Sequence, residues 1–86
     1  REKALVGLGA AAAVGCPYCI HFHKAESRLE GVEEEGLEEA VNVAAGVGYF
    51  STVLHGAEAD LDDFERETAE IVEHIENQQA AAAGDD

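Results

Sequence analysis

The sequence predicts an all-α fold: a small subunit of about four helices that assembles into a homo-oligomer. Three observations carry this. Alanine and glycine are abundant, tryptophan is absent and proline occurs once, at Pro17, a composition that suits helices better than a turn-rich β fold. Apolar residues recur every three or four positions in the second half of the chain, which is the period of a helix face. At 86 residues the chain is one small domain, and a chain this short buries a limited share of its surface alone and often gains stability by assembly.

The first helix is expected from Ala4 to Val14, apolar or glycine throughout. A helix apolar all round is buried, and its small side chains let another backbone come close, although Gly7 and Gly9 weaken it. The second helix runs from Pro17 to about Glu30. Proline is well suited to the first helical position, where its missing N–H costs nothing, and Gly31 is a natural stop. Val32 to Gly36 reads as a short acidic connection. The third helix, about Leu37 to His55, carries two adjacent apolar rows: Ala40, Val43, Val47, Phe50 and Leu54, then Leu37, Val41, Ala44, Gly48 and Ser51. A strand over 41–50 would need period-two alternation, which is missing. Two rows mean burial on two sides, one of them against another subunit. Asp60 is a good N-cap for a fourth helix, with Asp62 and Asp63 in its first turn. Leu61, Phe64, Thr68, Ile71 and Ile75 form its narrow apolar seam. From Gln78 the chain is expected to fray, so one helical domain is assigned to residues 1–79 and a disordered tail to 80–86.

The charge is lopsided: 19 acids against 5 Lys+Arg, a formal net charge of −14. Such a surface repels phosphate backbones and anionic membranes, so nucleic acid and lipid headgroups are not expected as partners. The acids do not form a calcium-loop pattern. A hydrophobic content of 47% argues against disorder. A surface suited to strong salt, as in halophilic organisms, fits better, because salt screens the self-repulsion. An ordinary acidic protein is the plain alternative. Arg1-Glu2-Lys3, the apolar run to Gly15 and then Cys16 loosely imitate a bacterial lipoprotein signal. That run is too short to span a membrane, and Ala13 stands where such signals usually carry leucine, so a cytoplasmic protein is expected. The missing initiator methionine suggests that residues precede Arg1.

The chemistry is concentrated at Cys16-Pro17-Tyr18-Cys19 with His23 four residues later. Cys16 would cap the second helix and Cys19 would sit in its first turn, where unpaired N–H groups and the dipole favour an anion. Cys16, Cys19 and His23 then share one face, with the two sulfurs in disulfide reach. A thiolate, not a thiol, is the nucleophile. Four chemistries fit a CxxC. A c-type haem site needs histidine directly after the second cysteine, and that residue is Ile20. Glutaredoxins spell Cys-Pro-Tyr-Cys, but on a βαβ fold with a second, cis proline that this chain lacks. A structural zinc site needs four ligands. Cys16, Cys19 and His23 are three, with His21 or His55 as a fourth only in principle. The last is a dithiol catalyst on a helical scaffold. His21, His55 and His74 are read as surface or satisfied helix residues, and Tyr18 as either a shield or substrate contact or plain packing.

Residues Ala4 to His23, followed by Gly31, Glu33-Glu34-Glu35, Leu37 and Glu39-Ala40, resemble the alkylhydroperoxidase D-like branch of the carboxymuconolactone decarboxylase superfamily, over about Ala4 to Gly56. The resemblance implies an all-α fold, assembly into homotrimers or homohexamers, and thiol-dependent peroxide reduction. It implies Cys19 as the cysteine oxidised to sulfenic acid, Cys16 as proton donor and resolving thiol, and His23 as a member of a proton relay. The relay glutamate of that branch lies twelve residues before the first cysteine, where this chain has Ala4, and Glu2 is out of register. Glu26, at i+3 from His23, is the nearest acid by helical spacing. Its plain reading is an ordinary surface acid.

The expected function is therefore a peroxide reductase with a catalytic set of Cys16, Cys19, His23 and Glu26 and no cofactor. It would act on a peroxide substrate and be recharged by a dithiol or a lipoyl or thioredoxin-like reductant. Cys19 is expected to be the more reactive thiol. The alternative is a helical oligomer of the same family whose CxxC binds metal or is merely redox-responsive, with no peroxidase activity.

Overall fold

The computed structural model describes residues 1–84. Four helices follow in order, α1 (Glu2–Val14), α2 (Pro17–Leu29), α3 (Glu34–Gly56) and α4 (Leu61–Gly84), with no strand among the described residues. Within the stretch expected as one domain, the chain gathers into two compact units, residues 1–53 and the part from Leu54 onward.

In the first unit α1 and α2 form a helical hairpin. Gly15 closes α1 in the left-handed conformation, φ 80°, its N–H bonded to the Ala11 carbonyl at 2.9 Å. A side chain is strained at that φ, which is why a glycine ends the helix. One residue later Cys16 is extended and caps α2, with Pro17 at the first helical position. The core is small. Leu8 of α1, Val32 of the α2–α3 connection and Leu37 of α3 are buried together, with Leu5, Ile20, Ala40 and Val41 packed around them. α3 passes α1 at Gly9, where a methyl would stand in ordinary contact, 3.6 Å from the Ala40 carbonyl oxygen. Arg28 at the end of α2 grips Glu34 at the start of α3 with two bonds, Nε to Oε1 at 2.7 Å and Nη2 to Oε2 at 3.3 Å.

Three expectations for this unit change. The acidic connection is shorter, because Glu34 and Glu35 form the first turn of α3, where the dipole favours carboxylates. α1 is not buried all round: Ala4, Leu8 and Ala11 are covered, while Val6 and Val14 are exposed. Of the two rows on α3, Leu37 is buried but Val43, Val47 and Phe50 stand more than half exposed. Beside them an apolar groove of about 630 Å³ runs between α1 and α3, with Leu5, Val6, Ala13, Val43 and Val47 among its walls.

In the second unit, Asp60 caps α4 as expected, its Oδ1 accepting the Asp63 N–H at 3.1 Å. The apolar seam of α4 is exposed at Leu61, Phe64, Ile71 and Ile75. The fraying expected from Gln78 does not start there, since α4 continues to Gly84. Ala80 to Ala83 are the strongest helix formers available and prolong it. Residues 85–86 of the expected tail lie outside the described residues. No described helix is long and apolar enough to cross a membrane.

Candidate active site

The tight turn at Gly15 sets Cys16 at the mouth of α2, where the helix presents N–H groups without partners. The Cys16 side chain takes one of them: its Sγ accepts the Cys19 N–H at 3.2 Å. Both cysteines are free thiols, and their sulfurs share a hydrogen bond at 2.6 Å. The proton in that bond can be drawn on either sulfur. Backbone N–H groups act on both sulfurs, second among the causes on Cys16 and last on Cys19, so negative charge is better supported on Cys16. The Cys16 thiol is accordingly held below its ordinary value, first by the hydrogen bond from the Cys19 side chain and then by the Cys19 N–H. The Cys19 thiol is raised, first by that same bond to Cys16, then by desolvation and by the charge on Cys16. The direction of these two shifts favours the thiolate on Cys16, whereas the expectation made Cys19 the more reactive thiol. Both residues lie at the helix mouth, and the capping sulfur takes the Cys19 N–H at 3.2 Å.

His23 sits one turn beyond Cys19 on α2, as its spacing requires. Its Nδ1 is 3.0 Å from Glu26 Oε1, with the two side chains 29% and 39% exposed. An ionised carboxylate only accepts, so Nδ1 donates, and in the neutral ring Nε2 is then the nitrogen with the lone pair. The spacing argument for Glu26 thus corresponds to a formed pair. No hydrogen bond joins His23 to either sulfur. Ala4, at the position of the family's relay glutamate, is 2% exposed on α1 and offers no carboxylate.

Two residues support His23 that its own motif does not reveal. Ser27 is fully buried and donates to the His23 carbonyl at 2.7 Å. Gly7 of α1 lies directly against the imidazole: a methyl on it would meet Cε1 at 2.5 Å and Nδ1 at 2.6 Å. The only signal of either in the sequence is a glycine standing inside an alanine-rich helix. Tyr18 is 85% exposed and packs on nothing. His21 and His74 are exposed. Among the described residues no three His, Cys, Asp or Glu side chains gather as metal ligands would. Cys16, Cys19 and His23 share a face without closing into a ligand set.

What this arrangement can do is thiol chemistry: an acidified sulfur, a second sulfur that holds a proton and can close a disulfide, and an oriented imidazole. The alkyl hydroperoxide reductase AhpD of Rhodospirillum centenum (strain ATCC 51521 / SW) is 38% identical over 65 residues, which make up 76% of this chain and 34% of that protein. The chain therefore spans about a third of the length of this relative. No solved structure matches. Residues 1–62, which contain α1, α2, α3 and the cysteine pair, match the model of the carboxymuconolactone decarboxylase family. On that match the chain belongs to the carboxymuconolactone decarboxylase family.

Proposed function

We propose that the protein reduces organic hydroperoxides through Cys16 and Cys19, cycling between a dithiol and a disulfide. The observation that carries this is the sulfur pair itself. The capping Cys16 holds two hydrogen-bond donors, one of them the Cys19 thiol at 2.6 Å. The Cys16 thiolate attacks the terminal oxygen of the hydroperoxide and the O–O bond breaks. The leaving alkoxide takes the proton of Cys19 and departs as an alcohol, and Cys16 becomes a sulfenic acid. Cys19, now a thiolate, attacks the Cys16 sulfur. The S–O bond breaks and hydroxide leaves as water, taking the proton that Cys16 first gave up. His23, oriented by Glu26, carries that proton on Nε2. An external dithiol, lipoyl or thioredoxin-like, returns the disulfide to two thiols by exchange.

The same reading makes the working form a homo-oligomer. The exposed row on α3 and the groove beside it leave more apolar surface uncovered than a monomer of this size usually carries. The function is tested by incubating reduced protein with an organic hydroperoxide and a small dithiol, following alcohol formation and intact mass. One equivalent should convert the dithiol to the disulfide with release of one alcohol. A protein that leaves the hydroperoxide unconsumed sinks the proposal.

A further inference from the structure

We infer that Gly7 is a positioning residue for His23: the missing side chain on α1 is the seat of the imidazole. This rests on the role proposed for His23 but is read from packing alone. A Cβ built on Gly7 would lie 2.5 Å from Cε1, 2.6 Å from Nδ1 and 3.0 Å from Nε2 of His23. These three atoms are one edge of the ring, and that edge contains both nitrogens. Carbon atoms do not approach so closely, so any larger residue at position 7 must displace something.

What would move is the ring. On the α1 side, Ala4, Leu8 and Ala11 are buried and hold the backbone. On the α2 side, Ser27 is fully buried and bonds the His23 carbonyl. Both backbones are pinned, whereas His23 is joined to its surroundings by its Nδ1 bond to Glu26 and an edge contact with Phe22, centroids 5.4 Å apart. Because Nδ1 is itself one of the atoms in conflict, a ring that makes room moves the nitrogen that bonds Glu26. Gly7 thus fixes which nitrogen is protonated and where the free lone pair lies. The glycine also runs against helix propensity, since α1 has alanine at four successive positions shortly after it. A neighbouring glycine supplies the contrast. At Gly9 an added methyl would make only ordinary contacts, 3.6 Å to the Ala40 carbonyl oxygen and 3.9 Å to Ala44 Cβ.

The experiment compares Gly7→Ala, Gly9→Ala, His23→Ala and the double variant Gly7→Ala/His23→Ala, with folding checked by circular dichroism. Two readouts are taken: the nitrogen chemical shifts of the His23 ring on the basic side of its titration, and kcat/KM for an organic hydroperoxide. In wild type the shifts should report a protonated Nδ1. Gly7→Ala should lose that signature and about 10-fold in kcat/KM, out of the ~10²-fold expected for His23→Ala. Gly9→Ala should keep both, and in the His23→Ala background Gly7→Ala should cost nothing further. Unchanged nitrogen shifts in Gly7→Ala overturn the inference, and so does a further loss in the double variant. The nitrogen shifts need no peroxide. A wild type inert to hydroperoxide would therefore sink the peroxidase reading while the seat is still judged by its own signal.

Discussion

The sharpest prediction concerns which sulfur meets the peroxide. At pH 7 an ordinary thiol is only a few per cent ionised, so complete ionisation raises its reactive fraction by at most ~30-fold. Cys16 draws on that advantage as far as its thiol is lowered, by the Cys19 thiol at 2.6 Å and the Cys19 N–H at 3.2 Å. Cys16→Ser removes the proposed attacking sulfur and leaves Cys19, an exposed thiol on which the backbone donor is the smallest influence, so oxidation by one equivalent of hydroperoxide should fall to about the rate of a free cysteine. Cys19→Ser keeps Cys16 and the backbone donor. Its first step should slow by less than ~30-fold and then stop at a sulfenic acid on Cys16, with no thiol left to close the disulfide. The pH profile carries the same logic. Because the Cys16 thiol lies below its ordinary value, its reactive form is present above that lowered value, and wild type should keep its rate as pH falls from the ordinary thiol range toward neutrality. Cys19→Ser deletes the first cause of the lowering, so its profile should move to higher pH. Intact-mass analysis after one equivalent of hydroperoxide, with a trap for sulfenic acid, reads all of this. If Cys16→Ser takes up oxygen on Cys19 at the wild-type rate, the assignment drawn from the capping geometry is wrong.

Other consequences are open to direct measurement. Glu26→Gln keeps the shape of the His23 partner but removes its charge. A hydrogen bond to a charged group contributes about 1.5–3 kcal/mol, and partial exposure reduces this to about 1 kcal/mol, so kcat/KM should fall ~5-fold. A wild-type rate would remove Glu26 from the relay. Leu8 is completely buried at the centre of a three-residue core, so Leu8→Ala should lower unfolding stability by about 3 kcal/mol, a large share of the 5–15 kcal/mol typical of a domain. Urea titration showing a loss below about 1 kcal/mol would place the core elsewhere. With a net charge of −14, molar KCl should raise the melting temperature by screening acid–acid repulsion. Equal melting points in dilute buffer and molar KCl would remove the physical basis of a salt-adapted surface. Sedimentation in the same salt should show an oligomer, and a folded monomer at micromolar concentration would refute the assembly reading.

The features legible in the sequence are those governed by neighbours a few residues apart. The Cys16 cap, Pro17 at the first helical position, the turn at Gly31 with φ 84° and the Asp60 cap all follow from local rules. The His23–Glu26 pair follows from i+3 spacing. The start of α3 was less legible, because Gly36 reads as part of a connection. In the fold it lies in the first turn, where a methyl would stand 2.8 Å from Val32 Cγ1. The motif places the imidazole nearer Cys19, while the structure puts the helix cap on Cys16, and the proposal that Cys16 attacks rests on that cap. Ser27 and Gly7 were invisible for another reason. Their roles depend on how α1 lies against α2, and no spacing along the chain encodes that contact.

The family branch that the sequence resembles implies a relay glutamate at the position of Ala4, whereas the acid beside His23 in this structure is Glu26. A carboxylate on α1 would have to reach His23 across the helix interface, and the pair would then hold only while the two helices keep their register. Here both partners belong to α2, three residues apart on a continuous helix, so the pair needs no carboxylate from α1. Pairing within one helix orders two side chains but does not fix the ring against rotation, since each can turn toward water. The flat surface at Gly7 supplies that restraint by shape rather than by charge. In this arrangement the acid comes from α2 and the constraint from α1. Substitutions on the two helices should therefore fail differently: loss of Glu26 should change the charge beside the imidazole, and a side chain at position 7 should change where the imidazole points.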